Sequence, residues 1–152
     1  MGFVNNLKTI GIDYNLLYLE DEIEIQDNLA RYFKRIFKNV YTAENGEDGL
    51  VAFSREEIDI VVTDVNMPKM NGLEFSKIIK EKDPKIPIIL ITANTGTDCF
   101  IEAIDIGVDK FLMKPILLDK LKLSLLEILN NLKNETEKIR LEELSHKLED
   151  KL

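Results

Sequence analysis

Five short apolar runs punctuate this chain, at 15–20 (NLLYLE), 39–43 (NVYTA), 58–64 (IDIVVTD), 86–92 (IPIILIT) and 110–115 (KFLMKP). Between them lie longer stretches whose apolar positions recur at helical spacing. The last three runs are nearly continuous in Val, Ile, Leu and Phe rather than alternating, which predicts parallel strands covered on both faces. The intervening helices have readable ends. Asn71 can cap a helix over 71–81 whose Leu73, Ile78 and Ile79 face inward, and Pro84 and Pro87 bar its extension. Asp21 or Glu22 opens a helix through Leu29, Phe33 and Phe37, and Asn45 or Gly46 opens a shorter one. Strict strand and helix alternation predicts a doubly wound α/β fold with right-handed crossovers. In such folds ligands sit outside the carboxyl ends of the strands, so the residues there carry the functional reading.

Those ends are polar throughout. The first strand ends in Glu20 and Asp21, the third in Asp64, the fourth in Thr92, and the fifth in Lys114 followed by Pro115. Asp64 also precedes a turn built from Asn66, Pro68, Asn71 and Gly72, in the stretch IVVTDVNMPKMNG. Three carboxylates brought to one rim repel each other and raise one another's pKa, so they call for a compensating cation. Lys114 is one candidate. A hard divalent ion is the other, and Mg²⁺ suits a set of oxygen donors. A carboxylate beside Mg²⁺, a lysine and a hydroxyl is an inventory for phosphoryl transfer: Asp64 attacks phosphorus, the metal and Lys114 neutralise the equatorial oxygens, and Thr92 donates a hydrogen bond.

Composition narrows the class. The chain has 152 residues, 45% of them hydrophobic and 32% charged, the balance of a folded protein with one ordinary domain and an appendage. A net charge of −8 repels phosphate backbones and argues against direct nucleic-acid binding. The single cysteine, Cys99, excludes an internal disulfide and reads as a small side chain on a helix. No run approaches the ~18 uninterrupted apolar residues of a membrane span, and the first residues lack the blocks of a signal peptide. The expected location is the cytoplasm, with no membrane association.

With LEDE after the first strand, DVNMPKMNGLE after the third, ITA ending the fourth and GVDKFLMKP through the fifth, the sequence resembles the receiver domain of two-component response regulators from about residue 15 to about 131. The resemblance implies a flavodoxin-like (CheY-like) parallel sheet in the order 2-1-3-4-5, with Asp64 accepting phosphate from a sensor histidine kinase, a phosphotransfer protein or a small phosphodonor. It implies Mg²⁺ bound by Asp21, Asp64 and the backbone carbonyl of Asn66, with Glu20 helping through water, and a cis bond at Lys114–Pro115. It makes Thr92 and Phe111 the switch pair that remodels the family's fourth helix, fifth strand and fifth helix. Many receivers carry tyrosine where Phe111 stands, so the hydroxyl of that switch is missing here. Asn66 and Asn94 line the approach of water in the family pattern.

Two rivals use related inventories. A haloacid dehalogenase-like phosphohydrolase needs a second aspartate two positions after the nucleophile, where this chain has Asn66. A flavodoxin-like FMN carrier wants a Ser/Thr-rich loop after the first strand, where this chain has Glu20, Asp21 and Glu22.

The chain ends remain. No proline or glycine follows Leu117, so a single helix of roughly 54 Å is expected, longer than the ~30 Å of a small domain. Leu118, Leu121, Leu125, Ile128 and Leu132 form one stripe, with Leu123 and Leu126 off it and free for a partner. Beyond Asn134 the pattern thins to Ile139, Leu141, Leu144, Leu148 and Leu152, with a break in heptad phase. This reads as a coiled-coil or linker helix over 132–152, serving a homodimer or leading to an output domain beyond residue 152. His146 reads as an exposed side chain, and residues 1–14 as a disordered lead or a short packed helix.

Overall fold

The computed structural model describes residues 6–93 and 96–151. Eleven elements follow one another: α1 (Leu7–Gly11), β1 (Asn15–Leu19), α2 (Ile23–Lys34), β2 (Asn39–Ala43), α3 (Gly46–Arg55), β3 (Ile60–Asp64), α4 (Gly72–Lys82), β4 (Ile88–Thr92), α5 (Thr97–Ile106), β5 (Lys110–Met113) and α6 (Leu118–Asp150). The strands form one parallel sheet, as the alternation of the sequence predicts, and its order β2-β1-β3-β4-β5 is the one that the resemblance implies.

The continuous apolar runs are explained by burial on both faces. Along β1, Leu16 and Tyr18 join Phe33 of α2 and Leu125 of α6 in one core, while Leu17 and Leu19 join Phe75 and Ile79 of α4 in the other. Successive residues of a strand point to opposite sides, so both sets of positions must be apolar when helices cover both sides. The runs 58–64 and 86–92 begin two residues before β3 and β4, and at this lower edge of the sheet aspartates satisfy the first N–H groups of neighbouring strands. Asp59 accepts from the backbone N–H of Asn15 at 2.8 Å, and Asp109 accepts from that of Ile88 at 2.8 Å.

Helix ends obey local chemistry. Asn71 and Glu74 form a reciprocal capping box at the start of α4, and Asn45 caps α3 by accepting from Asp48 at 2.8 Å. Gly107 closes α5 at φ 92°, a left-handed conformation that glycine adopts without a Cβ clash.

Three details differ from the expectation drawn from periodicity. The helix after β1 stops at Lys34, and Phe37 is buried from the turn beyond it rather than from the helix. Leu126 is buried and Leu118 is 56% exposed, reversing their predicted roles. The reason lies upstream: the start of the chain folds into α1, whose Leu7 and Ile10 enter the same core as Leu126 and widen the buried face of α6. No helix among the described residues is long and apolar enough to cross a membrane.

Candidate functional site

The carboxyl ends of β1 and β3 deliver the acids. Glu20 follows β1 directly; its N–H donates to the carbonyl of Ala43 at 3.0 Å, and its own carbonyl accepts from the Gln26 side chain at 2.8 Å. Asp64 is the last residue of β3 and is only 4% exposed. Its Oδ1 accepts from the Val65 N–H at 2.8 Å, and the Thr63 hydroxyl donates to its carbonyl at 2.9 Å. The following turn folds back on it, with the Gly72 N–H donating to the Val65 carbonyl at 2.8 Å. A Cβ at Gly72 would stand 2.0 Å from the Asp64 carbonyl oxygen, so a side chain there is excluded by contact with backbone. Lys69 adopts φ 65° at the tip of this turn.

Carboxylate oxygens of Glu20, Asp21 and Asp64 lie within 4.8 Å of one another. Lys114 reaches them from β5 across the sheet, its Nζ donating to Asp64 Oδ2 at 3.0 Å and to Glu20 Oε1 at 3.4 Å. Its backbone N–H donates to the Thr92 carbonyl at 2.8 Å, and the Lys114–Pro115 bond is cis. Asn66 lies exposed two residues beyond Asp64 in the turn.

Electrostatics show that the lysine does not balance the rim alone. Burial, and then repulsion from Asp64, push the Glu20 carboxyl up to about 7 against the opposing pull of the Glu22 N–H and Lys114. Burial works against the charge on Lys114, but its hydrogen bond and attraction to Asp64, reinforced by Glu20, hold its pKa above the ordinary value. Two acids almost without solvent and a third beside them form an all-oxygen donor set with surplus negative charge, which fits a hard divalent cation.

Thr92 closes β4 and is fully buried. It shares a side-chain hydrogen bond with Cys99 of α5, whose thiol is pushed up first by burial and then by Glu102, with the Thr92 bond opposing. Phe111 is half-buried and meets Phe100 of α5 edge-on, with ring centroids 5.4 Å apart and planes at 89°. Cys99 lies on a helix, as its sequence suggests, but its contact with Thr92, the Thr63 bond to the Asp64 carbonyl and the Phe100 contact with Phe111 have no signal in the sequence, since each depends on how neighbouring residues are placed. Asn94 lies outside the described residues.

With this geometry in hand, similarity to known proteins is informative. The family model for the response regulator receiver domain matches residues 16–126. A cyclic di-GMP phosphodiesterase of Thermotoga maritima is 32% identical over 116 residues, covering 76% of this chain and 31% of that protein. The response regulator SaeR of Staphylococcus aureus is 33% identical over 119 residues, covering 78% of this chain and 52% of that protein. The chain therefore spans about a third and about half of these two relatives. Among solved structures, the N-terminal domain of an uncharacterized protein from Wolinella succinogenes shares 33% identity at a TM-score of 0.74, over 82% of this chain and 99% of that one. A response regulator receiver domain from Clostridium thermocellum shares 30% identity at a TM-score of 0.71, over 80% and 98%.

Proposed function

The chain belongs to the family of response regulator receiver domains, and from that membership and the rim at Asp64 we propose that it is a phospho-accepting switch in two-component signal transduction. An Asp64 carboxylate oxygen forms a bond to phosphorus while the donor's bond breaks. The donor is a phosphohistidine on a sensor kinase or phosphotransfer protein, or a small acyl phosphate, and the leaving group departs with the electron pair. The observation that carries this reading is the Lys114 ammonium, 3.0 Å from Asp64 Oδ2 inside a three-carboxylate cluster. That placement supports the reading, because a positive charge held beside Asp64 would meet the oxygens of an arriving phosphoryl group.

Asp21, Asp64, the Asn66 backbone carbonyl and, through water, Glu20 are the groups that would hold Mg²⁺, which when bound supplies charge neutralisation at the phosphoryl oxygens. Asp64 presents the nucleophilic oxygen, Lys114 orients and neutralises the transferred group, and Thr92 donates its hydroxyl to it. Thr92 leaves Cys99 to do so, and Phe111, at present edge-on to Phe100, turns inward behind it. The output surface is then α5, β5 and the start of α6. The protein turns over nothing except its own phosphorylation and dephosphorylation.

We assign residues 1–14 to an N-terminal extension, 15–131 to the receiver and 132–152 to a helical extension. Homodimerisation through α5, β5 and α6 or through the outer part of α6, and an output domain beyond residue 152, are the two ways the signal leaves. Direct contact with nucleic acid or a membrane is not part of this reading, and the cytoplasm is its setting.

Labelling with acetyl phosphate in the presence of Mg²⁺ tests the proposal. The expected product is one base-labile, acid-resistant phosphoryl group per chain, absent in Asp64→Asn. Lys114→Ala should keep metal binding yet lose the association response to beryllofluoride. Sustained release of phosphate over many turnovers would favour a phosphohydrolase instead, and co-purifying yellow flavin would favour an FMN module.

A further inference from the structure

A second charged region shares no residue with the acidic rim. Between α1, the end of α2 and the first turns of α6 lies a cleft of about 760 Å³ lined by Lys8, Lys34, Arg35 and Lys122, with Tyr32 on its wall and no carboxylate among its lining residues. The chain as a whole has 28 acids against 20 lysines and arginines, so four cations without an acid run against its composition. Among the described residues, none of the four reaches a carboxylate at ion-pair distance.

Local helix chemistry explains only half of this. Lys34 and Arg35 close α2, where the carbonyl end of a helix attracts cations. Lys122 is the fifth residue of α6, beyond the first turn, where neither end of the helix acts on it. Lys8 comes from a third element, α1. Burial pushes the Tyr32 phenol up against the pull of Arg35, so it remains an O–H donor. The four side chains are exposed and free to turn toward one entering group, so an anion of comparable charge can meet them together, whereas a single phosphate dianion would match only two of them. The volume suits a small molecule.

We propose that this cleft binds a small ligand carrying two or more phosphate groups, gripped by Lys8, Lys34, Arg35 and Lys122. The ligand would bridge α1, α2 and α6, and its binding is independent of the chemistry assigned to Asp64.

Calorimetric titration of the full chain with inorganic tripolyphosphate, free of divalent metal and at fixed ionic strength, tests it. The expected result is saturable one-to-one binding, weakened about tenfold or more in Lys8→Ala/Lys122→Ala, and unchanged in Asp64→Asn and in Lys147→Ala/Lys151→Ala, which removes the same charge from the far end of α6. Absence of saturable binding would overturn the proposal, as would equal weakening by the far-end pair, which indicates diffuse charge attraction. Tighter binding of an acidic peptide than of tripolyphosphate would overturn it in favour of a protein partner.

Discussion

The acidic rim and the outer part of α6 sit at opposite extremes of constraint. At the rim, Asp64 is tied by the Val65 N–H, the Thr63 hydroxyl, Lys114 and the close approach of Gly72. Along α6, Leu121, Leu125 and Leu129 are fully buried, yet Ile139, Leu141, Leu144 and Leu148 are between 48% and 65% exposed. The same residue types at similar spacing thus have two fates within one helix. Helical periodicity decides that the helix forms; a neighbouring surface decides which leucines it buries. The rim is tied from several elements at once, and the outer helix is held by its own backbone hydrogen bonds with its leucines exposed.

The contrast can be tested from its strongest side first. Gly72→Ala drives a methyl group into the Asp64 carbonyl, and we expect a loss of at least ~3 kcal/mol of stability, read by denaturant unfolding, together with loss of phosphoryl acceptance. Stability unchanged to within experimental error would mean that the turn moves freely, and the rim would no longer count as constrained.

A smaller effect comes from charge. Because Glu20 is raised to about 7 in the folded chain, from 4.5, the folded state binds its proton more tightly than the unfolded one does. The linkage sign is negative over that interval: stability of the metal-free protein falls as pH rises from about 4.5 to about 7 and is flat above it for this group, by on the order of 1–3 kcal/mol. Mg²⁺ should restore it at pH 7 and should lose affinity as Glu20 protonates below that. Thermal unfolding in the two pH regimes, with and without Mg²⁺, reads both; Glu20→Gln should flatten the slope.

The smallest effect belongs to the outer helix. Leu144→Ala and Leu148→Ala should each cost under ~0.5 kcal/mol in the isolated chain, because a leucine already more than half exposed loses little burial. A concentration-dependent loss well above that would show that a second copy covers them.

Much of this organisation is legible in the residues themselves. The strand cores follow from runs of Val, Ile and Leu, and α4 from Asn71 at its start and Pro84 and Pro87 beyond its end, because those signals are local. Glu20, Asp21, Asp64 and Lys114 can be brought together on paper because parallel strands place their carboxyl ends side by side. What cannot be read is what depends on a distant surface. Five residues of α1 carry too short a period to announce that Leu7 and Ile10 enter the core, and the fate of Leu126 follows from that packing. The basic cleft gathers Lys8, Lys34, Arg35 and Lys122 from separated segments, each unremarkable in its own stretch. Phe100 meets Phe111 only because α5 lies over β5 at that height.

The unbroken length of α6 has a mechanical consequence. Its inner half is clamped to the sheet, and the outer turns from Leu132 to Asp150 project as a stiff rod of about 27 Å at ~1.5 Å per residue. Tilting its root by about 5° sweeps the tip through roughly 2–3 Å, given that length. A repacking of a fraction of an ångström beside Leu125 therefore reaches the far end amplified, as a pointer magnifies the turn of its pivot.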